Sequence, residues 1–152
     1  MFEVYVHEKV LKKAEKHYAE EAEKGLEAMG LLLGNAFTHE GSEYVVIEDY
    51  STGENEATSV SVRFSKKAFP KLAKDFEEGG KIIVGWSHAH PSYGCFLSTT
   101  DLRTQNNYFN EDFHVALVID PTRETETGFE KKFFKLCYEG YREASYAVIK
   151  EK

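Results

Sequence analysis

Two histidines, a serine and an aspartate lie close together in the chain, in the order His88, His90, Ser98 and Asp101. Their spacing is His-x-His, then seven residues, then Ser-x-x-Asp. Side chains at positions i and i+2 of a strand point to the same face, so the two imidazoles are expected to project together. Zinc accepts imidazole and carboxylate ligands, and a catalytic zinc keeps three protein ligands and an open position. The spacing therefore predicts a metal site with Asp101 as the third ligand.

The neighbouring residues predict how these side chains are positioned. The apolar, β-branched segment 81–86 predicts a buried strand that ends near the histidines, and Pro91 and Gly94 predict a turn after it. The segment 98–101 resembles a capping box at the start of a helix. A purely structural interpretation stays open, in which the histidines are solvated and the Ser-x-x-Asp segment only caps the helix.

A carboxylate upstream adds a fourth element to the pattern. Glu27 opens an otherwise apolar segment, 28–35, which predicts a strand. Burying a carboxylate is costly unless it is paired or hydrogen-bonded. Glu27 is therefore expected either at an exposed strand edge or facing a water molecule and a cation.

Taken together, Glu27, His88, His90, Ser98 and Asp101 resemble the JAMM signature of MPN-domain metalloproteases. Further segments resemble the catalytic subunits of the proteasome lid and of the COP9 signalosome, and the similarity extends over about residues 26 to 137. These segments are 84–86, 94–98, 104–105 and 118–123. The chain departs from those relatives at Ala89, where a small hydroxyl residue is usual, and at Ser92, where glycine is common.

The resemblance implies an α/β fold: an MPN/JAMM (cytidine-deaminase-like) sandwich, with a curved mixed β-sheet flanked by helices. It implies one catalytic Zn²⁺ per chain, held by His88, His90 and Asp101. Glu27 is then the general base, and the Ser98 hydroxyl helps to hold the developing oxyanion. The implied reaction is hydrolysis of an isopeptide or peptide bond after the C-terminal glycine pair of ubiquitin or a ubiquitin-like modifier.

Other functions remain open at this point. A peptidase that trims a sulfur-carrier protein shares the whole site, and a non-catalytic MPN scaffold shares the fold. A metal-binding or sensing module without turnover is a third alternative. Cys95 lies between the ligands and is either a small apolar filler or a fourth ligand that closes the site to water.

Length and composition narrow the class of protein. A chain of 152 residues is long enough for one ordinary domain, and we expect a single MPN/JAMM domain over residues 1–152. The net charge of −7 disfavours nucleic acid and anionic membranes as partners. The two cysteines predict no disulfide framework, which fits a cytoplasmic protein. The short C-terminal region suggests a freestanding, archaeal-type enzyme that acts on a ubiquitin-like modifier or its conjugates. The oligomeric state stays open.

The remaining pattern predicts the order of helices and strands. We expect helices over 8–24 and 65–78, and a third through residues 102–109. Further strands are expected over 2–6, 44–49, 59–63, 114–119 and 129–138. The polar segment 51–58 predicts a loop, and residues 120–123 predict a turn. If the family's substrate channel is present, the 51–58 loop is expected either to form one lip of it or to be a passive surface loop.

Overall fold

A mixed β-sheet carries the functional side chains. The structure is a computed structural model and describes residues 1–26, 28–52, 55–57, 62–64, 80–91 and 94–150. Glu27, the predicted helix 65–78, part of the 51–58 segment and Ser92 lie outside the described residues. Within them the strands are β1 (Val4–His7), β2 (Met29–His39), β3 (Ser42–Ser51), β4 (Asn55–Ala57), β5 (Val62–Phe64), β6 (Ile82–Ala89), β7 (Val115–Thr125), β8 (Gly128–Cys137), β9 (Gly140–Ala144) and β10 (Tyr146–Ile149); the helices are α1 (Glu8–Glu23) and α2 (Thr99–Tyr108).

Eight of the described strands form one sheet, in the order β10-β1-β3-β2-β6-β7-β8-β9. The pairs β1–β10, β1–β3 and β6–β7 are parallel, and the other neighbours are antiparallel. The two edge strands, β9 and β10, are separated in the chain only by Ser145. The sheet is therefore curled, and the predicted mixed, curved sheet with helices is confirmed.

Each face of the sheet has its own apolar core. Helix α1 covers one face, where an apolar stripe of Val10, Leu11, Ala14 and Tyr18 packs against the sheet. Trp86 and Phe109 belong to the core on the other face, together with Leu97 from the segment before α2. Burying a large apolar side chain contributes about 1.5–3 kcal/mol, so each core holds its helix against the sheet.

Three local predictions differ from the structure. Asn55–Ala57 form a strand paired with β5, whereas a loop was predicted for residues 51–58. The turn predicted for residues 120–123 is wrong, because these residues lie inside β7, at a register shift between Asp120 and Glu124. Strands β9 and β10 were not predicted as separate elements. No helix in the described part of the chain is long and apolar enough to cross a membrane.

Candidate metal centre

His88 and His90 lie at the end of a central strand. His88 is in β6, paired with Met29 of β2, and His90 follows directly after the last residue of β6. Both side chains are buried, and their Nε2 atoms are 3.0 Å apart. The alternation of the strand therefore places both imidazoles on the same face, as the spacing predicted.

Helix α2 brings Asp101 to the histidines. Ser98 is its N-cap: the Ser98 hydroxyl accepts a hydrogen bond from the Asp101 amide, and Asp101 Oδ2 accepts one from the Ser98 amide. This reciprocal capping box fixes the first turn of the helix. Asp101 Oδ2 also lies 3.0 Å from Nε2 of His88 and 3.0 Å from Nε2 of His90. The capping role and the ligand geometry therefore coexist in one side chain.

The geometry of these three residues fits a zinc ion. Their ligand atoms lie within 4.8 Å of one another, and all three residues are buried. Ligands at the usual zinc bond lengths in a tetrahedral site are separated by about 3.3 Å. The 3.0 Å separations among the two Nε2 atoms and Asp101 Oδ2 are close to that value. The group can hold a metal, and two imidazoles with one carboxylate suit zinc.

The protonation states also suit metal binding. Burial lowers the pKa of His88, although the Asp101 carboxylate opposes that shift. Burial alone raises the pKa of Asp101, but the charge and hydrogen bond of His88, with hydrogen bonds from His90 and the Ser98 amide, hold it well below its usual range. Near neutral pH the carboxylate is therefore ionised and His88 is neutral, the forms that bind metal.

A tryptophan and a glutamine hold α2 against the ligand strand. The Trp86 ring stacks on the His88 ring, with centroids 4.4 Å apart and an interplanar angle of 12°. Its indole N–H donates to Oε1 of Gln105, which is buried on α2 one turn after Asp101. Gln105 Nε2 in turn donates to the Phe109 carbonyl, at 3.1 Å. Gln105 lies in one of the segments that resemble the family. Its role in holding α2 against β6 was not predicted and is shown by these contacts.

Cys95 contacts the sheet and not the metal ligands. Its Sγ lies 3.4 Å from the carbonyl oxygens of Val118 and of Glu130, and the thiol is outside the His88, His90 and Asp101 group. Burial raises the pKa of Cys95 to about 11. The thiol therefore stays protonated and donates to the strand carbonyls.

Asp120 is a buried carboxylate whose contacts were not predicted from the sequence. Its Oδ2 accepts a hydrogen bond from the Gly94 amide at 3.0 Å, and its Oδ1 accepts from the amide and the hydroxyl of Thr122. The guanidinium of Arg123 lies 3.3 Å from Oδ2. Asp120 thus connects β7 to the segment that separates His90 from Ser98.

The residues beside Glu27 are described, although Glu27 itself is not. The Ala28 carbonyl accepts a hydrogen bond from the Ala89 amide at 3.0 Å, next to both histidines. Gly30 has to lack a side chain, because a Cβ there would lie 2.4 Å from the Tyr50 ring. The strand that follows Glu27 is therefore held between the ligand strand on one side and β3 on the other.

A family model and two curated proteins that match this chain agree on the same family. Residues 1–112 match the family model described as JAB1/Mov34/MPN/PAD-1 ubiquitin protease. COP9 signalosome complex subunit 5 of Drosophila melanogaster is 33% identical over 124 residues, which are 77% of this chain and 35% of that protein. The 26S proteasome non-ATPase regulatory subunit 14 of Dictyostelium discoideum is 36% identical over 101 residues, which are 63% of this chain and 32% of that protein.

A solved structure shares the fold. The solution structure of a Desulfitobacterium hafniense protein matches with a TM-score of 0.72 at 20% identity, over 97% of this chain and 94% of that one. The chain spans about a third of the length of the curated relatives it matches.

Proposed function

Because the chain belongs to the JAB1/Mov34/MPN/PAD-1 family, we propose that it is a zinc-dependent metalloprotease of the JAMM type. The proposed reaction is cleavage after the C-terminal Gly-Gly of ubiquitin or a ubiquitin-like modifier. The observation that carries the proposal is the buried convergence of His88, His90 and Asp101, because a scaffold without catalysis has no need of three converging ligand atoms.

The three ligands have separate supports, which favours a preorganised site. His88 is fixed by its place in β6 and by Trp86, and His90 by its amide hydrogen bond to Ile119. Asp101 is fixed by the capping box. A zinc ion held by these three residues would lower the pKa of a bound water to about 7 and would polarise a carbonyl group. These supports hold the His88 ring, the His90 backbone and the Asp101 carboxylate in place before the ion arrives.

Glu27 and Ser98 are proposed to carry the proton and the oxyanion. Glu27 takes the proton of the attacking water and delivers it to the departing amine, which is the work of a general base and then of a general acid. The Ser98 oxygen already accepts the Asp101 amide, so its hydroxyl hydrogen is available to donate to the oxyanion. Removing one such donor typically costs about 10²- to 10³-fold in rate.

The proposed substrate is a folded modifier with a thin, extended tail. Two terminal glycines can pass a narrow channel that excludes branched side chains, and an extended segment can pair with a strand edge. The net charge of −7 favours encounter with basic residues near that tail. Residues 1–152 are proposed to act as a single domain in this reaction.

The test combines a substrate panel with one variant. Zinc-loaded protein is incubated with fusions of ubiquitin, ubiquitin-like modifiers and sulfur-carrier proteins, and the cleavage site is read by mass spectrometry. Glu27→Gln should bind one zinc per chain but lose most of its kcat, because its proposed task is proton transfer. Glu139→Gln, at an exposed carboxylate between β8 and β9, is the matched control and should keep wild-type kcat.

Two results would contradict this proposal. If Glu27→Gln keeps a kcat near that of the wild-type protein, Glu27 is not the general base. Equal cleavage of short unrelated peptides and of modifier fusions would show a general peptidase in place of a modifier-specific one. If only the sulfur-carrier fusions are cleaved, the proposed zinc-dependent hydrolysis is supported, but the substrate is a sulfur-carrier protein and not ubiquitin or a ubiquitin-like modifier.

A further inference from the structure

Besides the Cys95 thiol, which donates to the Val118 carbonyl, two backbone amides near the metal ligands are attached to β7 at consecutive residues. The His90 amide donates to the Ile119 carbonyl at 2.9 Å, as a normal continuation of the sheet. The Gly94 amide donates to Oδ2 of Asp120 at 3.0 Å, which is a contact to a side chain. The second attachment therefore depends on the identity of residue 120, whereas the first depends only on the backbone.

Asp120 is suited to hold a backbone amide. Its side chain is fully buried, and a buried carboxylate needs hydrogen bonds or a counter-charge to offset its lost hydration. Its Oδ1 accepts from the amide and hydroxyl of Thr122, so that Oδ2 is directed to Gly94 and to the Arg123 guanidinium. One oxygen of the carboxylate is thus bound by Thr122 of its own strand, and the other by Arg123 and by the amide of Gly94.

The backbone conformation of Gly94 also favours its contact with Asp120. Its backbone has a φ of +79°, a conformation that residues with a side chain rarely adopt. A Cβ there would lie 3.5 Å from Nη1 of Arg123, so the guanidinium lies directly over this position. The conformation of Gly94 and the buried carboxylate together define one attachment, which we call the Asp120–Gly94 contact.

The distance along the chain makes this contact relevant to the reaction. Ser98 comes four residues after Gly94, and four residues span at most about 14 Å even when fully extended. A displacement of Gly94 therefore changes the path of the short segment that leads into Ser98. His88 and His90 are held by β6 and β7 outside this segment, whereas Asp101 is joined to Ser98 by the capping box and shares any shift of Ser98.

We propose that Asp120 is a positioning residue that acts through Gly94 to place Ser98 at the metal centre. This role rests on the proposed function for the part played by Ser98. The Asp120–Gly94 contact itself can be tested without any catalytic activity.

The main variant is Asp120→Asn, made in a Cys137→Ser background. A side-chain amide has only one acceptor atom, so the introduced group cannot accept from both Thr122 and Gly94, and its NH₂ then faces another donor. Thr122→Val is the matched control, because it removes a hydrogen bond from the other carboxylate oxygen and keeps the Gly94 contact. Cys95, one residue after Gly94, reports on the loop through its rate of reaction with a disulfide reagent such as DTNB.

In Asp120→Asn, Cys95 should react about tenfold faster than in Thr122→Val, because local opening exposes the thiol. Zinc content should stay at one per chain in both variants. The kcat for a modifier fusion should fall about 10- to 100-fold in Asp120→Asn, with KM changed less than about threefold, as expected when a transition-state contact is misplaced. A partly unfolded population would also lower the apparent kcat and leave KM unchanged, so kcat is calculated per folded, zinc-loaded chain, with the folded fraction measured by circular dichroism.

A measurement on the wild-type protein makes the test independent of any variant's folding. Amide hydrogen exchange by NMR should show Gly94 protected about 100-fold or more, although it lies outside the strands and helices. Exchange at the rate of an open loop would overturn the proposal, and so would equal thiol reactivity in Asp120→Asn and Thr122→Val. If the wild-type protein cleaves no substrate, the proposed function fails, while exchange and thiol reactivity still decide whether Asp120 holds the loop.

Discussion

The Trp86–Gln105 pair provides a quantitative test of how α2 is held. Gln105→Leu keeps the side chain volume close to that of glutamine but removes both hydrogen bonds, leaving the indole N–H and the Phe109 carbonyl without these partners. Each buried polar group left unsatisfied costs about 1–3 kcal/mol, and the apolar leucine offsets part of that cost. We expect the free energy of unfolding to fall by about 2–4 kcal/mol.

The neighbouring residue gives the matched control. Asn106 is also an amide on α2 and donates to the Leu102 carbonyl at 2.9 Å, but it is exposed. Asn106→Ala should change the free energy of unfolding by no more than about 0.5 kcal/mol, since water replaces the lost contact. Both changes remove an amide from adjacent positions of one helix, and the main difference between the two positions is that Gln105 is buried and Asn106 is exposed.

The assay is urea unfolding of the metal-free protein, followed by far-ultraviolet circular dichroism. In thermal unfolding, a loss of about 3 kcal/mol corresponds to a Tm lower by about 6–12 °C for a chain of this size. The double variant with Trp86→Phe should be more stable than the sum of the two single changes predicts, by about 1 kcal/mol, because the two residues share one hydrogen bond. The reasoning is refuted if Gln105→Leu and Asn106→Ala are equally stable.

Three further predictions concern metal, thiol and pH. Removing zinc with a chelator should lower Tm, because a ligand at a thousandfold excess over its Kd stabilises the folded state by about 4 kcal/mol; an unchanged Tm would argue against the site. Cys95→Ala should cost about 1 kcal/mol in urea unfolding and keep one zinc per chain by elemental analysis. Burial lowers the pKa of His114 and of His17, so the unfolded state binds more protons, and stability should be greatest above about pH 6.5 and fall as the pH drops below it. His114 Nδ1 accepts a hydrogen bond from the Glu111 amide. Because glutamine does not titrate, His114→Gln should make the free energy of unfolding in urea less dependent on pH. An unchanged dependence would exclude His114 as a source of it.

The features predicted well from the sequence are those with a local signal. The His-x-His spacing needs only the alternation of a strand, and the Ser98 and Asp101 pair needs only one helical turn. The structure brings these side chains together as the spacing predicted. The role of Glu27 stays a prediction, since this residue lies outside the described part of the chain.

The features that were missed depend on contacts distant in the chain. The segment starting at Asp120 has the composition of a turn, but the Asp120 carboxylate faces Gly94, 26 positions earlier. β9 carries two adjacent charged residues, Arg142 and Glu143, and β10 has only four residues, so neither has a clear periodicity of its own. They become strands because β8 and β1 offer them partners.

The pairing of β1 with β10 has a consequence for how the chain folds. Val4 pairs with Tyr146, so the parallel contact closes a loop of nearly the whole sequence. Closing a long loop costs entropy before any contact repays it, and such non-local pairing slows folding. Until β10 arrives, the outer edge of β1 presents unpaired backbone groups that another chain can bind. Aggregation during refolding should therefore depend on protein concentration and decrease once this last strand is in place.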